Sequence, residues 1–131
     1  MKTLEFKKGN SRVVILIGRY AVKLPRRKPT GDLSVLNQIR LGLRCNKAER
    51  KAWKEQKFPQ LCPIIWSDPF GWVVVMERAT PMSNAEFDAW YDSSDWLHVA
   101  FADSPFETTG KDAGTLRDGR KVMIDYGMLG Y

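Results

Sequence analysis

The chain has 131 residues, 44% of them hydrophobic, and a formal net charge of +6. That length suits one domain with one core, and a composition with five Trp and six Phe excludes a disordered chain. The positive charge favours anionic partners, namely nucleotides, phosphates, nucleic acid or acidic proteins, unless it only keeps a basic surface hydrated.

The two cysteines and the single histidine limit the kinds of functional site that the chain can contain. Cys45 and Cys62 lack the spacing of a redox or zinc motif, and we expect them to be reduced in a cytoplasmic protein. The single histidine, His98, lies between apolar residues, which favours a structural role and argues against a His-based zinc site or a Ser-His-Asp triad. No apolar run has the length of a membrane span and residues 1–6 lack a signal-peptide core, so we expect no membrane partner.

Residues 1–25 contain three short apolar segments separated by turn residues. The segments cover residues 4–6, 12–17 and 20–24. Gly18-Arg19 permits a tight turn between the last two, so the pattern predicts an antiparallel three-stranded meander. In the third strand, Lys23 faces the same side as Ala21. The pattern leaves open whether that side is a solvated surface or a functional one.

Residues 32–57 have the apolar spacing of a helix, with a basic opposite face. Gly42 weakens this helix, and Asn46 to Glu49 has the form of a capping box, so we predict two helical pieces with the second beginning at Asn46. Glu49 therefore has two interpretations: it closes the capping box, or it turns inward and pairs with a strand lysine.

Alternating strand and helix signals continue through the rest of the chain. Two further strands are predicted at residues 64–66 and 72–76, and residues 77–81 form an extended connector. A second capping box, Ser83 to Glu86, begins another helix, and a short helix follows at Asp95. Residues 103–112 form a polar loop.

A β-hairpin with carboxylates at both ends is predicted after this loop. Asp118-Gly119 lies between apolar arms, which indicates a two-residue turn. Asp112 precedes the first arm and Asp125 ends the second, so the two carboxylates should lie close together. Mg²⁺ is typically held by one or two carboxylates plus substrate phosphates. The alternative is that Asp112 is only a loop residue.

The order of these elements resembles the protein-kinase-like fold. Ala21-Val22-Lys23 is similar to the kinase Val-Ala-Ile-Lys strand, and Asp125-Tyr126-Gly127 resembles the Asp-Phe-Gly motif. The expected fold class is α+β: a five-stranded antiparallel sheet with a kinase-type helix, plus a reduced C-terminal part of short helices and a β-hairpin. Residues 1–131 would form a single kinase-like domain, with residues 1–80 like the N-lobe and residues 81–131 a minimal C-lobe remnant.

The resemblance implies a role for particular residues in binding ATP. Lys23, oriented by Glu49, would contact the nucleotide's phosphates, as the corresponding pair does in kinases. Met76 stands at the gatekeeper position, and the backbone from Glu77 to Ala79 would contact the adenine ring as the hinge.

The same resemblance implies a magnesium site and a general base. Asp125, together with Asp112, would hold Mg²⁺, and both Asp125 and Lys23 would belong to the catalytic set. Glu107 would be the general base, a role typically worth about 10²–10⁴-fold in rate. Glu107 stands where kinases have the aspartate of His-Arg-Asp, and its longer side chain changes its reach.

Several kinase motifs are missing. Residues 1–20 contain no Gly-x-Gly-x-x-Gly loop, and the sequence ends six residues after Asp125 without an activation segment. The resemblance is therefore to a minimal or truncated member, similar to small bacterial or phage kinase-like proteins.

Three functions follow from this reading. In the first hypothesis, the chain would be a degenerate kinase-like module that acts through a protein partner, with or without Mg-nucleotide in its cleft. Alternatively, it is an active minimal ATP-dependent kinase. The third hypothesis is a basic nucleic-acid-binding protein, whose affinity would fall steeply with salt.

Overall fold

The computed structural model describes residues 4–8, 11–29, 31–56, 58–100 and 112–126. Along the chain the elements are β1 (Leu4–Lys8), β2 (Arg12–Ile17), β3 (Tyr20–Pro25), α1 (Val35–Gln56), β4 (Ile64–Ser67), β5 (Val74–Glu77), β6 (Thr80–Pro81), α2 (Asn84–Ser93), α3 (Asp95–Ala100), β7 (Ala113–Thr115) and β8 (Lys121–Met123). The predicted α+β class, with a five-stranded antiparallel sheet, one main helix and short helices, is confirmed. In the described part of the chain, no helix combines the length and apolarity that a membrane span requires.

The five-stranded sheet has the order β1-β2-β3-β5-β4, and every neighbouring pair is antiparallel. Gly18 connects β2 to β3 with a φ of 55°, a left-handed conformation that favours glycine. β3 is the central strand, and Lys23 lies in it opposite Val14 on one side and Val74 on the other. The lysine is therefore held in the middle of the sheet.

α1 is one continuous helix from Val35 to Gln56, so the prediction of two pieces is wrong. Gly42 does not end the helix, and it lies where α1 passes close to the end of β3. A Cβ at this position would lie 2.6 Å from Pro25 Cα and 2.7 Å from Ser11 O. The predicted capping box at Asn46 is also wrong. Asn46 lies in the middle of α1, and its buried side chain bonds to the backbone of other elements.

The C-terminal part contains a second, three-stranded sheet with the order β6-β7-β8. The predicted connector supplies β6 as a third strand beside the predicted hairpin. The hairpin turn differs from the prediction, because Leu116 N–H donates to Arg120 O at 2.9 Å and encloses a three-residue loop. Gly119 takes the last loop position with a φ of 89°, where a residue without Cβ is favoured. The capping box from Ser83 to Glu86 is confirmed at the start of α2.

One apolar cluster contains residues from both sheets. Leu61, Met76 and Met123 are almost completely buried in it. Backbone bonds reinforce this contact, because Cys62 N–H donates to Met123 O at 2.9 Å and Met123 N–H donates to Gln60 O at 2.7 Å. Tyr126, also buried, donates its hydroxyl to Cys62 O at 2.9 Å. These contacts place the end of β8, and Asp125 with it, beside the five-stranded sheet.

Candidate functional site

Lys23 and Glu49 meet in the interior between β3 and α1. Lys23 Nζ donates to Glu49 Oε1 at 3.0 Å and to Oε2 at 3.1 Å. Both side chains are buried, and Glu49 is fully so. Of the interpretations that the sequence left open, Glu49 takes the inward one, and Lys23 does not lie on a solvated face.

Arg12, at the start of β2, is the largest unpredicted component of this site. Its guanidinium donates to both carboxylate oxygens of Glu49, with Nη2 at 2.9 Å from Oε2. The same Nη2 donates to Asp125 Oδ1 at 2.6 Å, and Nη1 donates to Asn46 Oδ1 at 3.1 Å. Strand alternation offered one signal, because Arg12 lies on the same side of β2 as the buried Leu16.

Glu49 is held as a charged group despite its burial. Burial would raise the pKa of its carboxyl, but the adjacent cations Arg12 and Lys23 lower that pKa to about 2. For the Arg12 guanidinium, burial disfavours the charge, yet Glu49 and Asp125 outweigh this effect and raise its pKa. The backbone N–H of Tyr126 also donates to Glu49 Oε2 at 3.0 Å. The carboxylate is therefore fixed from three sides and stays ionised.

Asp125 follows β8 and has a half-exposed side chain. The backbone N–H groups of Ile124 and Asp125 donate to Asp112 O at 2.7 Å and 3.2 Å, so the two ends of the hairpin are adjacent, as expected. Lys23 Nζ also donates to Ile124 O. The site thus combines two cations, Arg12 and Lys23, with two carboxylates, and its formal charges cancel.

These residues do not fit a magnesium ion in this arrangement. The Asp125 carboxylate, which the resemblance assigns to the metal, accepts a hydrogen bond from Arg12 and is neutralised by it. Mg²⁺ requires oxygen ligands, whereas a guanidinium has only donors. Among the residues with described positions, no group of three or more His, Cys, Asp or Glu side chains is arranged to hold a metal ion.

The segment that the resemblance assigns to adenine already has bonds within the protein. Met76 is buried and pairs with Ala21 across the sheet. Glu77 N–H donates to Pro63 O at 3.1 Å, and Glu77 O accepts from the Cys62 thiol, also at 3.1 Å. Burial raises the pKa of Cys62 to about 12, which keeps this thiol protonated as a donor.

Ala79 and Glu107 complete the predicted set. Ala79 packs against the second sheet, since a Cβ on Gly114 would lie 2.8 Å from Ala79 Cβ. Glu107, the expected general base, lies outside the described residues. The structure therefore brings Lys23, Glu49 and Asp125 together, with Arg12 between the two carboxylates.

No family model matches this sequence, and no curated protein matches it either. Among solved structures, the chain is similar to a crystal structure of WbdD, with a TM-score of 0.57 and 14% identity over 94% of this chain and 32% of that one. The complex of WbdD with the kinase inhibitor LY294002 gives a TM-score of 0.54 and 14% identity over 93% and 32%. A third structure describes WbdD as a bifunctional kinase-methyltransferase, at a TM-score of 0.48 and 14% identity over 89% and 29%.

This chain thus spans about a third of the length of WbdD. The two higher TM-scores show a fold shared with part of WbdD and support a kinase-like fold for this chain. At 14% identity, the similarity extends to the fold alone.

Proposed function

We propose that this chain is a degenerate protein-kinase-like module that acts by binding a protein partner and does not transfer phosphoryl groups. The observation that carries the proposal is the contact of Arg12 with Asp125, at 2.6 Å, inside a kinase-like fold. The carboxylate that the resemblance assigns to a metal ion is bonded to a cation of the protein itself.

Phosphoryl transfer depends on positioning and on metal ions that neutralise the phosphates. For Mg-nucleotide to bind as in a kinase, Arg12 would have to leave Asp125 and keep Glu49 as its carboxylate partner. Arg12 is buried, so its departure from the half-exposed Asp125 would take away one of the two carboxylates that compensate its charge. A nucleotide that entered without metal would meet Lys23, which is already bonded to Glu49. Both routes are therefore unfavourable in this cleft.

A thermal-shift titration with ATP, with and without Mg²⁺, tests the proposal. Ligand at 100 times its Kd would stabilise the protein by about 2.7 kcal/mol, an effect that such an assay detects. We expect no Mg-dependent shift at millimolar nucleotide. The proposal would be overturned by a Mg-dependent shift accompanied by phosphate transfer. Asp125→Asn should then abolish that shift, and the exposed control Asp88→Asn should retain it.

One observation favours the second candidate, an active minimal ATP-dependent kinase. The Lys23–Glu49 ion pair is formed, and protein kinases need this pair in place for activity. In that case Glu107 would serve as general base. Incubation with labelled ATP, including a search for autophosphorylation, distinguishes the candidates, because only the second predicts transfer that Lys23→Met abolishes.

A further inference from the structure

The hairpin formed by β4 and β5 presents large apolar side chains to solvent. Four of them are more than half exposed: Ile65, Trp66, Phe70 and Trp72. We call residues 64–77 the aromatic hairpin. An exposed apolar patch of several large side chains marks a binding surface more often than a chance feature.

The exposure of this hairpin is built into the register of β4. Ile64 pairs with Met76 and Trp66 pairs with Val75, so Ile65 is an extra residue in the strand. Regular alternation would turn one of two successive side chains inward, whereas such an irregularity re-aims them. Both Ile65 and Trp66 are consequently exposed. β4 is also the last strand of its sheet, and within the described ranges no strand pairs with its outer edge.

A row of cations runs along the exposed side of α1. Its members recur at alternating steps of four and three residues, which places them on one side of a helix. They are Arg40, Arg44, Lys47, Lys51 and Lys54, all exposed, and we call them the basic stripe. The acidic residues of α1 are Glu49, which points into the cleft, and Glu55, which is exposed four residues after Lys51, so the five cations outnumber the acids on this side.

The aromatic hairpin and the basic stripe are adjacent. The hairpin turn packs on the middle of α1, since a Cβ on Gly71 would lie 2.5 Å from Leu43 O and 3.0 Å from Lys47 Cγ. Asn46 Nδ2 fixes this contact by donating to Gly71 O at 2.8 Å. An apolar centre with a charged rim is the arrangement of protein–protein interfaces. The rim here is positive and calls for a negative partner surface.

We infer that the aromatic hairpin and the basic stripe form one docking surface for an acidic protein segment that carries apolar side chains. The inference rests on the proposed function and gives the chemistry of the partner. Single-stranded nucleic acid also uses cations and aromatic rings. However, Ile65 offers no ring for stacking, and the outer edge of β4 offers backbone groups that an added peptide strand can match.

Fluorescence anisotropy with a labelled peptide of alternating Glu and Leu tests the inference. Poly-L-glutamate and labelled oligodeoxythymidine serve as comparison ligands, and no nucleotide is present. We expect the peptide to bind more tightly than either ligand and to weaken as salt is raised. The double variant Trp66→Ser/Trp72→Ser should weaken peptide binding at least about tenfold, because exposed tryptophans dominate such interfaces.

Two triple variants separate local from general charge. Lys47→Gln/Lys51→Gln/Lys54→Gln should weaken peptide binding about tenfold and flatten its salt dependence. The matched control, Arg117→Gln/Arg120→Gln/Lys121→Gln, removes the same charge from exposed positions of the other hairpin and should change Kd by less than about twofold. Circular dichroism checks that each variant remains folded, as its exposed positions predict.

Three outcomes would overturn the inference: no peptide binding, oligodeoxythymidine binding at least as tightly as the peptide, or equal losses in the two triple variants. A different measurement, phosphate transfer from ATP, would show that the proposed function is wrong. If the chain transferred phosphate from ATP, it would not be a degenerate module. Peptide binding is measured without nucleotide and therefore reports on the outer surface alone.

Discussion

Arg12 and Lys23 in the cleft contrast with Lys47 and Lys51 on the outer side of α1. The first two cations are buried and hydrogen-bonded to the Glu49 carboxylate, whereas the other two are exposed on the helix surface. A buried charge is tolerated only when it is paired, but an exposed charge is hydrated at little cost. Cleft charges are thus constrained by folding, while the outer charges are free to serve recognition.

Asn46 connects these two regions. Its amide group donates to Lys23 O in the cleft and to Gly71 O in the aromatic hairpin, and its oxygen accepts from Arg12. Because charges are buried and paired in the cleft but exposed on the outer side of α1, we expect substitutions in the cleft to lower stability more than substitutions on the outer side.

The largest effect is expected for Glu49→Gln. This change removes the carboxylate that Arg12 and Lys23 share and leaves buried cations without full compensation. We expect a loss of about 3–5 kcal/mol in the free energy of unfolding, measured by urea denaturation. Glu55→Gln, at an exposed position of the same helix, should change it by less than about 0.5 kcal/mol. If the two substitutions lowered the free energy of unfolding equally, charges in the cleft would contribute no more to stability than charges on the outer side.

Acid should destabilise the protein through the same carboxylate. The pKa of Glu49 is about 2 in the folded state against 4.5 for the free group, so the unfolded state takes up the proton first as pH falls. The stabilisation is complete above pH 4.5 and is lost toward pH 2, and it amounts to about 3 kcal/mol. Urea midpoints across this range should fall more steeply for the wild type than for Glu49→Gln. If the urea midpoints of the two proteins fell equally with pH, Glu49 would not be the carboxylate responsible for the acid sensitivity.

A smaller loss is expected for Asn46→Ala. The substitution deletes the side chain that bonds to both regions and leaves buried acceptors unsatisfied, at about 1–3 kcal/mol. Asn37→Ala, at an exposed position of α1, provides the control. Denaturation of both variants measures the difference, and a loss for Asn46→Ala no greater than that of the control would show that Asn46 does not join the regions.

The strands and helices were largely predictable because they rest on local patterns. Alternation and β-branched runs located β1 to β5, and the Ser83–Glu86 capping box located the start of α2. The predicted helix break at Gly42 failed, because the closeness of Pro25 and Ser11 is invisible in the local sequence. The hairpin loop was one residue longer than predicted, although Gly119 does take the left-handed position.

The site was predictable only in part. Lys23, Glu49 and Asp125 were named through a resemblance in the order of elements, and the structure brings them together. Arg12 was missed because its two carboxylate partners are distant in sequence, 37 residues away for Glu49 and 113 for Asp125. Periodicity identifies the face on which a side chain lies, but not which distant charge it meets there.

By itself, the sequence determined the α+β class, the main elements and the row of cations on α1, since each depends on residues within a few positions of one another. Only the tertiary structure decided that Glu49 turns inward, that Arg12 occupies the Asp125 carboxylate, and that Gly71 brings the aromatic hairpin onto the basic stripe. Local spacing fixes the backbone conformation and the direction of side chains. The pairing of buried charges is fixed by long-range packing, because only packing removes the water that would otherwise solvate each charge alone.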